Sequence, residues 1–132
     1  MKLRYLVVLL LALAACGKQE QQSMGTFERI DPAFDSIVSA DATIDIIAEG
    51  YDWSEGPLWV GSKNMLLFSD VPKNTIYQWT EKDGAKVYLT PSGFMGTTSN
   101  SPEPGSNGLL LDDEENLILC QHGDRRLAIK IG

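Results

Sequence analysis

Shifted by 52 positions, residues 55–80 lie on residues 107–132 without a gap. Only four positions are identical, Gly56/Gly108, Leu58/Leu110, Asn64/Asn116 and Leu67/Leu119, but the pattern agrees along the whole overlap. A polar residue and a glycine open a short apolar strand, and a polar turn closes on Asn. A second apolar strand, another turn and a third strand follow. A period near 50 with three or four strands per unit is the mark of propeller blades, because one such sheet cannot bury both its faces alone.

The rest of the pattern agrees with an all-β chain. Short runs at 43–48 (TIDIIA), 57–60 (PLWV), 65–69 (MLLFS), 75–79 (TIYQW) and 86–89 (KVYL) form one series. Runs at 109–111 (LLL), 117–120 (LILC) and 127–131 (LAIKI) form another. Each is rich in β-branched, aromatic or aliphatic residues, and Gly, Asn, Asp, Pro or Lys separates them. Beyond residue 40 no segment holds helical spacing for two turns. Residues 27–38 (FERIDPAFDSIV) read as a short helix or a packed strap around Pro32.

The N-terminus has a different character. Lys2 and Arg4 precede the apolar run 5–15 (YLVVLLLALAA), which suits a signal-peptide core and is too short to cross about 30 Å of hydrocarbon. Leu13-Ala14-Ala15-Cys16 resembles the bacterial lipobox, whose Cys is acylated and then becomes the new N-terminus. The expected organisation is a lipoprotein signal peptide at 1–15, a polar tether at 16–25 and a partial propeller at 26–132. Lipidation at Cys16 would anchor the protein to a membrane of the bacterial cell envelope and leave Cys120 without an intrachain disulfide partner. With 11 Lys+Arg against 18 Asp+Glu, the net charge of -7 argues against a nucleic-acid partner.

Propeller topology converts the repeat into a site. Inner strands beginning at Glu55 and Asn107 would lie beside a central channel. Antiparallel second strands would return Asp70 and His122, each fifteen residues later, to the same end. Four polar side chains would then gather at one mouth of the channel. Trp53 lies close enough to that end to line a sugar pocket, although packing between blades is its simpler role. Read without further context, Glu55 could hold a turn, Asn107-Gly108 is an ordinary turn pair, and Asp70 is ordinary salt-bridge material. His122 suits either a general base or substrate contact, or a loop residue capping the turn before Asp124. Residues 112–115 (DDEE) lack the spacing of a calcium loop and read as a solvated turn. No G-x-S-x-G elbow is present.

Four motifs in order, WSEGPLW (53–59), FSDVP (68–72), SNGL (106–109) and CQHGDRR (120–126), resemble the gluconolactonase branch of the SMP-30/gluconolactonase/LRE family. The resemblance implies a six-bladed propeller that hydrolyses sugar lactones with one divalent cation, usually calcium, in its channel. It carries metal ligation onto Glu55 and places Asn107 at the metal or substrate region. Calcium suits a carboxylate combined with neutral amide oxygens, and a cation of this kind can polarise an ester carbonyl. Six blades at this period need roughly 310 residues. The chain is therefore expected to be the N-terminal portion of a longer lactonase-like lipoprotein, about two blades of antiparallel sheet with exposed apolar faces and little or no activity alone. The alternative function is a lipid-anchored propeller that binds a sugar or protein partner without turnover.

Overall fold

The computed structural model describes residues 23–131. The signal peptide expected at 1–15, the lipobox Cys16 and most of the tether lie outside the described residues. No helix among the described residues is long and apolar enough to cross a membrane.

The chain divides into two units, the first ending at Asp45 and the second beginning at Ile46. In the first, Pro32–Ser36 forms one turn of 3-10 helix. Pro32 cannot donate a backbone hydrogen bond and so suits the first turn, and the Asp31 carboxylate caps it by accepting the Ala33 N–H at 2.8 Å. Arg29 lies over the Phe34 ring and pairs with Asp35. The strand expected at 43–48 does not form. Asp45 makes a lone antiparallel bridge to Ser23, and the rest of the segment lies outside any strand. Its alternating pattern satisfies a strand's periodicity, but no neighbouring strand takes its backbone groups.

The second unit holds seven antiparallel strands. β1 (Ser54–Val60), β2 (Met65–Asp70), β3 (Thr75–Thr80) and β4 (Gly84–Leu89) form a four-stranded meander in sequence order. β5 (Ser106–Leu111), β6 (Leu117–Gln121) and β7 (Arg126–Lys130) form a three-stranded one. Seven of the eight apolar runs thus become strands. Between the sheets lies one core. Val60, Met65, Leu67 and Ile76 from the first meet Leu117 and Leu119 from the second, with Leu109, Leu111 and Ala128 packed around them.

The repeat is real but not gapless. Ser54 pairs with Asp70 as Ser106 pairs with Gln121, and Leu58 pairs with Leu67 as Leu110 pairs with Ile118. The offset is therefore 52 along the inner strands and 51 from the second strand onward. The turn residues agree: Asn64 and Asn74 have φ of 46° and 53°, and their counterparts Glu115 and Arg125 have 61° and 54°. The β5–β6 hairpin is one residue shorter than its partner, so the counterpart of Asp70 is Gln121 and not His122.

The connection from β4 to β5 is held by polar contacts. Asn74 Oδ1 accepts the N–H groups of Ser92, Gly93 and Phe94 at 3.1, 2.7 and 3.2 Å, and its amide donates to the Phe94 carbonyl at 2.8 Å. One side chain thus replaces the ladder that this segment lacks.

Candidate functional site at the inner-strand ends

Glu55 and Asn107 occupy the same place on successive inner strands, each at the bulge that interrupts pairing with the second strand. The two strands approach closely. Gly56 has φ +56°, and a Cβ built there would lie 2.1 Å from the Asn107 carbonyl oxygen. Only glycine fits both the backbone conformation and the gap. The EGP and SNG motifs therefore meet backbone to backbone.

Two oxygen donors at this junction lack partners. Asn107 Oδ1 is buried with no hydrogen bond. Leaving such an atom unsatisfied costs about 1–3 kcal/mol, so it needs a reason. The half-buried Glu55 side chain makes no hydrogen bond or ion pair among the described residues. An amide oxygen and a carboxylate are hard donors of the kind that calcium takes. No three His, Cys, Asp or Glu side chains gather into a metal-binding group among the described residues. The pair fits part of a coordination shell, and two donors fall short of the six to eight that calcium prefers.

Asp70 reaches the same end of the first sheet but turns inward. Its side chain is fully buried. Its oxygens accept the N–H groups of Asp52 and Trp53, both at 3.2 Å, and Lys73 Nζ lies 3.1 Å away. The hydrogen bond from Lys73 to Asp70 is the main reason the lysine pKa is raised, with the charge of Asp52 adding to it. Every Asp70 oxygen is committed to holding the segment before β1. Tyr51, in that segment, stacks edge-on against Phe68 and Tyr77 with ring centroids 4.8 and 4.9 Å apart, and burial raises its pKa.

His122 lies one residue beyond β6 with its side chain 44% exposed and Nδ1 3.6 Å from Glu103 Oε2. It borders an open cleft of about 480 Å³ whose lining includes Asn107, Gln121 and Arg125. Trp53 is exposed just ahead of β1. Asn107 and His122 thus border one cleft, Glu55 lines a separate cavity with Tyr51, Pro57 and Phe68, and Asp70 is buried away from both.

A line of small polar groups behind the site carries no role in the sequence reading. Ser69 Oγ and Ser106 Oγ lie 2.9 Å apart, both fully buried between the sheets. Ser92 Oγ accepts the Ser106 N–H at 3.1 Å, Gln121 donates to the Ser92 carbonyl at 3.1 Å, and Arg126 Nε donates to Gln121 at 2.6 Å. Ser69 and Ser106 stand inside the FSDVP and SNGL motifs, which was their only signal.

Two stacked antiparallel meanders, each with its first strand at the contact between the sheets, define a propeller-type scaffold. Residues 53–131 match the SMP-30/Gluconolactonase/LRE-like region, and the chain belongs to that family. A gluconolactonase from Zymomonas mobilis subsp. mobilis is 34% identical over 118 residues, which is 88% of this chain and 33% of that protein. An X-ray structure of a structural-genomics target assigned as a gluconolactonase superposes with a TM-score of 0.62 at 30% identity, over 76% of this chain and 31% of the other. A gluconolactonase structure from Xanthomonas campestris gives a TM-score of 0.63 at 24% identity, over 77% and 30%, and supports the fold alone. The fold is thus all-β and of propeller type, and the chain spans about one third of the length of the relatives it matches.

Proposed function

We propose that this chain supplies two blades of a propeller that hydrolyses sugar lactones, with Glu55 and Asn107 contributing to a divalent cation site, calcium by the hardness of the donors. The observation that carries this reading is the buried, unpartnered Asn107 Oδ1 beside the Gly56–Asn107 contact. When bound, the cation supplies a Lewis acid that polarises the lactone carbonyl. Asn107 holds its amide oxygen toward that position, and Gly56 fixes the spacing between the two strands. His122 borders the cleft as a proton acceptor or substrate contact, with Glu103 beside its Nδ1 to orient the ring. Trp53 offers an exposed aromatic face at the same end for a sugar ring.

Calorimetric titration of the full chain with calcium tests the site. Glu55→Ala and Asn107→Ala are each expected to weaken binding at least tenfold, and unchanged affinity in either removes that residue from the site. A single copy of two sheets supplies too few donors, so the monomeric chain is expected to show little hydrolysis of gluconolactone. Calcium-dependent turnover by the monomer would overturn that expectation.

The N-terminal segment belongs to the same proposal. Acylation at Cys16 would hold the protein on a bacterial envelope membrane through a lipid. Labelled fatty acid should enter the wild-type chain in a bacterial host and not the Cys16→Ser variant. Equal labelling of the two would exclude lipidation at this residue.

A further inference from the structure

Among the described residues, Asn107 Oδ1 is the one buried side-chain oxygen or nitrogen without a hydrogen bond. No neighbouring side chain holds that oxygen, so its direction is set by the main chain beneath it. The β5–β6 ladder gives this main chain little support, because pairing breaks between Ser106 and Leu109. Support comes from the other sheet. Ser69 stands opposite Glu55 in the β1–β2 pairing and sends its hydroxyl across the gap between the sheets. Its Oγ lies 2.9 Å from Ser106 Oγ and 3.5 Å from the Asn107 main-chain oxygen. Gly56 closes on that same oxygen, since a Cβ at residue 56 would come within 2.1 Å of it. Ser106 is held in turn from behind, its N–H donating to Ser92 Oγ at 3.1 Å. Ser69, Ser92 and Ser106 are all fully buried.

A hydroxyl has one proton to give. Ser106 Oγ has only Ser69 Oγ as a partner among the described residues, whereas Ser69 Oγ has two. Were Ser69 to donate to Ser106, the Ser106 proton would find no acceptor. With Ser106 donating to Ser69, and Ser69 to the Asn107 carbonyl, both protons are used. We propose that Ser69 is the positioning residue for Asn107, with Ser106 aligning the Ser69 hydroxyl. The functional weight of this role rests on the reading that Asn107 supplies an oxygen to a cation. An oxygen that must stay unpaired until its ligand arrives is best steered through its own main chain. A donor placed on Oδ1 itself would compete with the ligand, whereas support one step back orients it without occupying it. Both sheets that bury this contact come from the chain itself.

Magnetic resonance of the nitrogen-labelled full chain reads the Asn107 side-chain amide directly, its pair of signals being assigned by their loss in Asn107→Asp. Ser69→Ala and Ser106→Ala break the same buried hydroxyl pair and should lower stability in urea by similar amounts. Ser69→Ala should also carry the Asn107 signals toward their unfolded-peptide positions. Ser106→Ala should move them far less, because the donor to the Asn107 carbonyl remains. In the double variant neither hydroxyl is left without its partner, so stability should partly recover. The Asn107 signals should nevertheless stay as in Ser69→Ala. Signals that simply follow stability across the three variants overturn the proposal and leave the serines a packing role. Signals that Ser69→Ala leaves unchanged overturn it equally. Calcium added to the same samples separates this proposal from the reading beneath it. The wild-type Asn107 signals should respond, and Ser69→Ala should need about fivefold more calcium, the worth of one net hydrogen bond. Wild-type signals that ignore calcium overturn the cation reading, whereas equal calcium affinity in the two chains overturns the positioning role.

Discussion

Asp70 in the first sheet and Gln121 in the second stand at the same corner, each opposite the first residue of an inner strand. Asp70 is a buried carboxylate that needs two backbone N–H groups and Lys73 to be tolerable. Gln121 is neutral, donates to the Ser92 carbonyl and accepts from Arg126. The first corner ties down the segment that leads into β1, and the second ties down the connection between sheets. One topology therefore accepts a charged or a neutral latch, provided that every buried polar atom finds a partner. The consequence is unequal vulnerability.

The largest expected difference comes from removing the two latches. Asp70→Ala leaves two amide groups without their charged acceptor, while Lys73 keeps Asp52 and the Gly50 carbonyl, and should cost about 3–5 kcal/mol in urea unfolding. Gln121→Ala should cost about 1–3 kcal/mol, because only neutral partners and an exposed arginine are left behind. Equal losses would break the comparison. A second contrast sharpens it at the hydrophobic level. Ile76→Ala, at a fully buried position, should cost about 2–5 kcal/mol at any protein concentration. Leu127→Ala, at its exposed counterpart, should stay within about 0.5 kcal/mol.

The hairpin turns supply the smallest effect. Asp112 accepts hydrogen bonds from the Asn116 side chain and from the Asn116 and Glu114 backbones, which hold its pKa below the ordinary carboxylate value. A depressed folded-state pKa stabilises the fold above the unfolded value, about 3.9 for Asp, and that stability is lost as pH falls through the folded value. The corresponding turn in the first sheet, Gly61–Lys63 closed by Asn64, contains no carboxylate. Asn116→Ala should therefore lower stability near neutral pH and flatten the acid limb, so that its difference from wild type shrinks between about pH 6 and pH 3 in urea midpoints. Glu115→Ala should leave that limb in place.

The strands were legible because each is a short apolar run ended by a residue that turns the chain. Residues 43–48 carried the same local signal and failed, since a strand exists only where another strand accepts its hydrogen bonds. The repeat was legible as a pattern, but the one-residue slip hid in a polar hairpin where sequence carries little register information. The left-handed turn positions at Asn64 and Glu115 reveal it only once dihedral angles are known. That slip is why His122 stood in for Gln121 as the counterpart of Asp70. The equivalence of Glu55 and Asn107 on successive inner strands followed from the repeat, because both stand before the slip. The inward turn of Asp70 did not, since its partners are main-chain amides seventeen and eighteen residues earlier.

Gly56 gives the junction an unusual tolerance profile. The separation of the two candidate donors is set by main chain resting on main chain, not by the reach of flexible side chains. Even a methyl group at residue 56 would act as a wedge at the hub, prising the inner edges apart while the leucines farther out stayed packed. Anyone recombining blades between relatives should treat this glycine and the asparagine it touches as one inherited unit.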